Sequence, residues 1–421
     1  MKMKTIGRLL VVAALAIAAA EVGAVCVDAA VRTGIFQEYP FADICDTPPP
    51  AGYGPFYISH YGRHGSRYLT REANCLAADV LEHAAGKGAL TDAGLELLGR
   101  LRRIKAVHSG MYGQLTTRGA EEHRRLAQRM HARFGGVFSN GGKVRCQSST
   151  IPRCLASMAN FACELKGLES NLGFDFATGD RYMAAINGLE RIRNDTRTAI
   201  KKSDRKFMED TADPALTIGR LFSDESAASR LVGDPYAFMT SLFYMIASCR
   251  PLAAELEGLE IFDMFPPEEL LALEKAMNGR WYVRMANSAE FGDAVVASAE
   301  TLAHDIAQRA EEAIRCGGIA ADLRFGHDAG LWPLAGYLGI YGVGDRVPFA
   351  EVFDHDVIMQ SMTMASNLQL VFYRNDKGDV IVKVLYNEGE VRLRGVMPVC
   401  GPYYSWHDMK ARLMRRYADP H

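Results

Sequence analysis

One stretch of the chain gathers reactive side chains in an uncommon order. Arg63-His64-Gly65-Ser66-Arg67 follows the apolar run Phe56-Tyr57-Ile58, so one imidazole stands between two guanidinium groups where glycines let the backbone turn. Cations around an imidazole suit the holding of a dianion while the ring attacks it. Two other places supply matching chemistry. Lys143 to Ser148 reads as a strand, and Arg153 follows in the first turn of a helix that begins at Pro152. Free N–H groups and the helix dipole favour an anion at such a position. Ala321 to Phe325 reads as another strand, ending at Gly326-His327-Asp328. In open α/β sheets ligands sit outside the carboxyl ends of strands, so the three groups are expected to face one crevice.

The residue types fit phosphoryl transfer. Arginine forks bind phosphate oxygens, and three of them can neutralise a dianion and its transition state. A neutral imidazole such as His64 can take the phosphoryl group covalently. The departing alkoxide needs a proton, which Asp328 can supply before activating water against the phosphoenzyme. On this reading no metal or cofactor is required.

Other motifs compete for attention. His-Asp occurs at His304-Asp305, His327-Asp328, His355-Asp356 and His407-Asp408. The first lies inside a helical run, the third lacks a clear preceding strand, and the last opens a terminal helix. Only His327-Asp328 joins a strand, a glycine and a helix. Gly342-Val343-Gly344 is too short for a nucleotide loop, and His60 with His64 lacks a third metal ligand. Asn194-Asp195-Thr196 fits a glycosylation acceptor. The basic run Arg191 to Lys206 reads either as a solvated helix face or as a rim attracting an anionic substrate.

The elements that position these groups form a coarse plan for the 421 residues. Lys2, Lys4 and Arg8 before the apolar run Leu9 to Ala20 read as a signal peptide, residues 1–24. Val25 before Cys26 argues against lipidation. The mature protein is therefore expected to be soluble, without membrane insertion, and periplasmic or secreted. Removing the leader takes the formal charge from −2 to about −4, which argues against nucleic acid as a partner. The partner left is a small phosphomonoester; oligomeric state stays open. In an oxidising compartment some of the cysteines from Cys45 to Cys400 are expected to pair. Helices are expected at 91–106, 117–134 (threonine cap, Glu121 and Glu122 in the first turn) and from Pro152 to Gly167. Helical patterns also cover Leu252–Leu259, Pro267–Met277 and Ala289–Cys316. Leu368–Tyr373 and Val380–Tyr386 around Asp376-Lys377-Gly378 read as a hairpin. The fold class is α/β, with 32–179 and 316–421 forming one α/β domain around an inserted helical domain, 180–315.

With these residues in hand, the chain resembles the histidine acid phosphatases, which include phytases and glucose-1-phosphatases. Arg63-His64-Gly65-Ser66-Arg67 with Thr70 is similar to that family's opening motif. Ser149 to Ser157 around Arg153 is similar to its middle element, and His327-Asp328 to its proton-donor motif. Gln114-Leu115-Thr116 with Gly119 matches its lead into a long helix. Ser366-Asn367-Leu368 and Val384-Leu385-Tyr386-Asn387-Glu388 resemble the multiple inositol polyphosphate phosphatase branch. That branch carries His-Ala-Glu where this chain has His327-Asp328-Ala329, an acid that is shorter and one place earlier. The resemblance implies a phosphoglycerate-mutase-like α/β lobe with a central mixed sheet flanked by helices. It implies His64 as nucleophile, Asp328 as proton donor, and Arg63, Arg67, Thr70, Arg153 and His327 around the substrate phosphate. The activity implied is exported, metal-independent hydrolysis of phosphomonoesters through phosphohistidine, with inositol polyphosphates first and sugar phosphates second. A phosphomutase and a non-catalytic phosphate binder are the remaining alternatives.

Overall fold

β1 (Gly54–Arg63) is buried without interruption from Tyr57 to Arg63, as a strand covered on both faces must be. The computed structural model describes residues 32–417, and β1 lies at the centre of its sheet. The other strands are β2 (Gly142–Ser148), β3 (Leu172–Thr178), β4 (Ile319–Gly326), β5 (Asn367–Arg374), β6 (Val380–Tyr386), β7 (Gly389–Glu390) and β8 (Tyr403–Ser405). Their order is β3-β2-β4-β1-β5-β6-β7, with β8 beside β6. The first four run parallel, while β5 to β8 pair antiparallel, so the sheet is mixed. Arg63 stands opposite Gly326, and Ser148 opposite Phe325. The ends of β1, β4 and β2 are therefore level, and the chemistry-bearing residues leave the sheet at one edge.

Alternation along β1 feeds two cores. Tyr57 and Tyr61 join one, and Ile58 joins the other. The helices used below are α1 (Leu76–Ala85), α2 (Asp92–His108), α3 (Thr117–Phe134), α4 (Pro152–Leu168), α5 (Asn194–Thr211), α6 (Pro235–Ala247), α7 (Pro267–Met285), α8 (Glu300–Cys316), α9 (Asp328–Leu338) and α10 (Trp406–Leu413). Leu126, Met130, Phe161 and Leu165 of α3 and α4 cover the Ile58 face. Leu302, Ile306, Leu331 and Met409 of α8, α9 and α10 cover the other. Each such side chain, fully buried, contributes roughly 1.5–3 kcal/mol. From Asp180 to Cys316 the regular structure is helical, and helices before it join this layer: Ser241 of α6 accepts from Ala77 of α1 and donates to Asn74.

Several expectations are corrected. Residues 250–258 form successive turns rather than a helix: several of their backbone bonds close over three residues, and Gly258 takes a left-handed φ of 70°. The run Ala289–Cys316 breaks into Gly292–Ala297 and α8. β3 was not anticipated, although Leu172, Phe174 and Phe176 alternate with Gly173 and Asp175; it forms the sheet edge, where Phe176 is exposed. The α3 cap is Thr116, whose Oγ1 accepts from Gly119 N, so Glu121 and Glu122 lie beyond the first turn. The expected cysteine pairing is absent among the described residues. All eight cysteines from Cys45 to Cys400 are free, and Cys75, Cys146, Cys154 and Cys249 are buried in separate elements. The signal peptide and Cys26 lie outside the described residues, and no described helix is long and apolar enough to cross a membrane.

Two buried histidines behind the β1 end make stability pH-dependent. The His60 ring packs on Phe161 and Phe325, and His123 meets Phe325 edge-on. Burial pushes both down to about 3. These values lie below the unfolded value of about 6.5, so the unfolded chain binds more protons in between. Stability present at neutral pH is then lost as pH falls from about 6.5 toward the folded values, by roughly 1.4 kcal/mol per pH unit per histidine. His123→Phe should shallow the slope of unfolding free energy against pH by about one histidine's share. Equal slopes in denaturant titrations between about pH 4.5 and 6.5 would refute this.

Candidate active site

At the end of β1 the chain turns through His64-Gly65. His64 N donates to Gly326 O at 3.0 Å, which keeps the turn on the sheet edge. His64 Nδ1 lies 2.9 Å from Gly65 O, an atom that can only accept. Nδ1 must carry the proton, and Nε2 keeps its lone pair. The turn is possible because Gly65 has no side chain: a Cβ there would sit 2.5 Å from Gly119 O at the start of α3. Ser157 Oγ of α4 accepts from Gly65 N at 3.2 Å.

The cations stand around this ring in different ways. Arg63 is 1% exposed and its fork is held from both sides. Nη1 donates to Thr363 O at 2.7 Å and Nη2 to Ile35 O at 2.9 Å, while Asp328 Oδ2 lies 3.0 Å from Nη2. Arg67 donates to Tyr68 O at 3.0 Å and lies over the Phe36 ring. Arg153, in the first turn of α4, has no hydrogen-bond or ion-pair partner among the described residues, and its Nε is buried. Nε of Arg63 and of Arg67 are also buried without acceptors. Burial, then mutual repulsion with Arg153 and Arg63, brings Arg67 down to about 9. The same causes, burial first and then Arg153, Arg63 and Arg67, hold His64 well below its usual value, so the imidazole is neutral. Two buried guanidinium groups and the half-buried Arg153, with the Asp328 carboxylate among them, favour an added anion.

His327 closes the other side, its ring 5.6 Å from that of His64 and edge-on to it. Ser149 Oγ lies 3.0 Å from His327 Nε2, and Tyr61 Oη accepts from His327 N at 3.2 Å. Burial and Arg153 bring His327 down to about 4. Asp328 opens α9, and its Oδ1 accepts from Ala329 N at 2.9 Å. Burial alone would raise this carboxyl, but Arg63 and His327 outweigh it and hold it low. The structure thus brings His64, Arg63, Arg67, Arg153, His327 and Asp328 to one sheet edge. Thr70 is exposed at the rim of that cluster: its Oγ1 donates to Asn74 Oδ1, and it lines a small cavity with Arg67, Arg71 and Tyr244.

The family model of the histidine phosphatase superfamily, branch 2, matches residues 62–387, from the β1 end to the turn after β6. The chain belongs to that superfamily. Among solved structures, multiple inositol polyphosphate phosphatase from Bifidobacterium longum, in complex with inositol hexasulfate, is similar at a TM-score of 0.78 and 19% identity, over 92% of this chain and 99% of that one. The phytase from D. castellii is similar at a TM-score of 0.63 and 15% identity, over 92% and 86%. At such identities the likeness is one of fold. No curated protein matches by sequence.

In this branch 2 phosphatase, several residues noted in the sequence shape the site in ways that the sequence did not state. Thr116 Oγ1 donates to Ser66 O, Ser157 supports Gly65, and Glu122 holds Ser66 by two bonds. The repeat Thr116, Gly119, Glu122 was a usable signal, since residues three apart share one helix face. The other His-Asp pairs have structural roles or none near the site. Asp305 pairs with Arg309 and Arg324, and Asp408 N bonds the Ser405 cap of α10.

Proposed function

We propose that this phosphatase is an exported, metal-independent phosphomonoester hydrolase that works through a phosphohistidine on His64, with inositol polyphosphates as its first substrates. The observation that carries the chemistry is the neutral His64 ring, oriented with Nε2 free inside the arginine cluster and facing the side closed by His327 and Asp328. Arg63, Arg67, Arg153 and His327 hold the phosphate, and Thr70 meets the substrate at the mouth. Nε2 attacks phosphorus, the bond to the ester oxygen breaks, and that oxygen leaves with a proton from Asp328. An entering dianion beside Asp328 competes for Arg63 and raises the carboxyl, which is how it comes to hold that proton. Asp328 then takes a proton from water as the water attacks the phosphoenzyme, which frees His64 and inorganic phosphate.

A substrate with several phosphates is supported by what lies beside Arg67. Its small cavity shares Arg71, Asn74 and Tyr244 with a larger one of about 420 Å³, also lined by Lys201, Arg205, Arg280 and Arg284. Asp204 and Asp234 are the acids on its walls, so cations prevail. Part of the basic run on α5 therefore faces a cavity. Arg205, Arg280 and Arg284 already pair with Asp234 or Asp204, so Arg71 and Lys201 are the cations that a single sugar phosphate would leave unused. The fold neighbour from B. longum was solved with inositol hexasulfate, a polyanion of this type.

Removing two of these charges, Lys201→Gln with Arg280→Gln, should lower kcat/KM on inositol hexakisphosphate about tenfold, each partly exposed charge contributing roughly 0.5–1 kcal/mol. Turnover of p-nitrophenyl phosphate should stay within about twofold. Phosphate-release assays over inositol polyphosphates, sugar phosphates and nucleotides decide the substrate. Preference for monophosphorylated sugars would reject the polyphosphate reading.

A further inference from the structure

The nucleophile loop is bolted to α3 by a buried carboxylate that the chemistry above does not use. Ser66 N donates to Glu122 Oε2 at 2.7 Å, and Ser66 Oγ donates to Glu122 Oε1 at 2.8 Å. Ser66 O accepts from Thr116 N at 2.9 Å and from Thr116 Oγ1 at 3.0 Å. Every polar group of Ser66 is thus held by the first two turns of α3 and its cap. The helix comes that close because Gly119 has no side chain: a Cβ there would lie 2.2 Å from Ser66 O. Glu122 Oε1 also accepts from Tyr39 N at 3.3 Å, which ties in the segment after Ile35, whose carbonyl holds Arg63.

Glu122 is an expensive residue to keep in this place. It is 3% exposed, and no cation lies within ion-pair distance of it among the described residues. Burial pushes its carboxyl up against the pull of the Ser66 and Tyr39 hydrogen bonds. A purely structural contact would be met more cheaply by a neutral group. What only a carboxylate offers is two acceptor oxygens for three converging donors, the Ser66 N–H, the Ser66 O–H and the Tyr39 N–H. A glutamine would present an NH2 to one side and lose at least one of them.

We propose that Glu122 is a positioning residue for His64, acting through Ser66. The proposal rests on His64 as nucleophile. Ser66 follows His64 by two residues across Gly65, the most pliant point of the loop, so fixing Ser66 removes the freedom that glycine would otherwise give the imidazole. Arg67 keeps its own anchors on Tyr68 O and Phe36. Loss of the Glu122 contact therefore moves the attacking atom more than it weakens phosphate binding, and a misplacement on the order of 1 Å is worth about 100-fold in rate.

The test is Glu122→Gln, alone and with Ser66→Ala, read as kcat, KM, inhibition by inorganic phosphate, and rapid-quench phosphoenzyme formation. The expected result is a kcat and a phosphoenzyme rate lower by about 10- to 100-fold. KM and phosphate inhibition should stay within about threefold, and the double variant should be no slower than Glu122→Gln alone. An unchanged kcat, a parallel loss of kcat and phosphate binding, or additive losses would overturn the proposal. If Glu122→Gln does not fold, Ser66→Ala decides: a kcat reduced at constant KM supports the latch, and an unchanged kcat rejects it. Turnover retained by His64→Ala would instead remove the nucleophile reading itself, whatever Glu122→Gln shows.

Discussion

His64→Ala should lower phosphate release on every substrate by on the order of 10⁴-fold or more, while the protein still folds and still binds phosphate. Among the described residues the ring offers a nucleophilic lone pair held among the three arginines, with Nδ1 turned to Gly65 O. His327 is also neutral, but one of its nitrogens is engaged with Ser149. Without His64, water would have to attack the ester directly while Asp328 is committed to protonating the leaving oxygen. The structural loss is smaller. The variant gives up one hydrogen bond to Gly65 O and leaves a small cavity, together costing about 1–3 kcal/mol. Arg63 keeps its two carbonyls, and Arg153 keeps its position at the α4 terminus. Inorganic phosphate at about 100 times its dissociation constant should therefore still stabilise the variant by about 2.7 kcal/mol in thermal unfolding. Turnover near the wild-type rate would dismiss His64 as the nucleophile. Lost turnover together with lost phosphate stabilisation would point to a collapsed site rather than a missing atom.

The site was readable because its residues follow strands that are buried on both faces. The first appears as an apolar run ended by glycine, Phe56 to Gly62, and the second as apolar and charged residues in alternation ended by glycine, Ala321 to Gly326. What no run of residues could state is register. That Arg63 stands opposite Gly326 and Ser148 opposite Phe325 is a property of pairing between distant segments. β3 was legible and overlooked: Leu172, Phe174 and Phe176 alternate with Gly173 and Asp175, the period of a strand. Residues 250–258 were overread: apolar spacing around Leu252 and Leu256 is helical, but most of the backbone bonds there close over three residues as turns. The cysteines show the limit of composition as evidence. Their number suggested pairing, but a disulfide needs two sulfurs brought together, and Cys75, Cys146, Cys154 and Cys249 are buried in different elements. Glu122 was seen and assigned to a helix start. Its role depends on the Gly65–Gly119 approach, which emerges only when two segments separated in sequence are packed together.

Asp328→Asn should separate substrates by their leaving groups. In kcat/KM, which ends with phosphoenzyme formation, the loss on inositol and sugar phosphates should be about 10²- to 10⁴-fold, the usual worth of a general acid. On p-nitrophenyl phosphate, whose phenolate departs without a proton, the loss should stay under about tenfold. The second step is common to both, because it uses the same carboxylate to activate water. The aryl ester should therefore show a burst of one product per site followed by slow turnover. Asparagine preserves the Oδ1 acceptor for Ala329 N, and Arg63 retains Thr363 O and Ile35 O, so the cluster keeps its shape. It does lose the negative charge that pairs with Arg63. The site then carries a larger unbalanced positive charge, and inorganic phosphate should bind more tightly, by a few fold. Weaker catalysis with tighter product binding is the signature of a lost proton donor, whereas a disordered site would weaken both. Equal losses of kcat/KM on alkyl and aryl esters would remove Asp328 from the proton-transfer step and leave it as a counterion for Arg63.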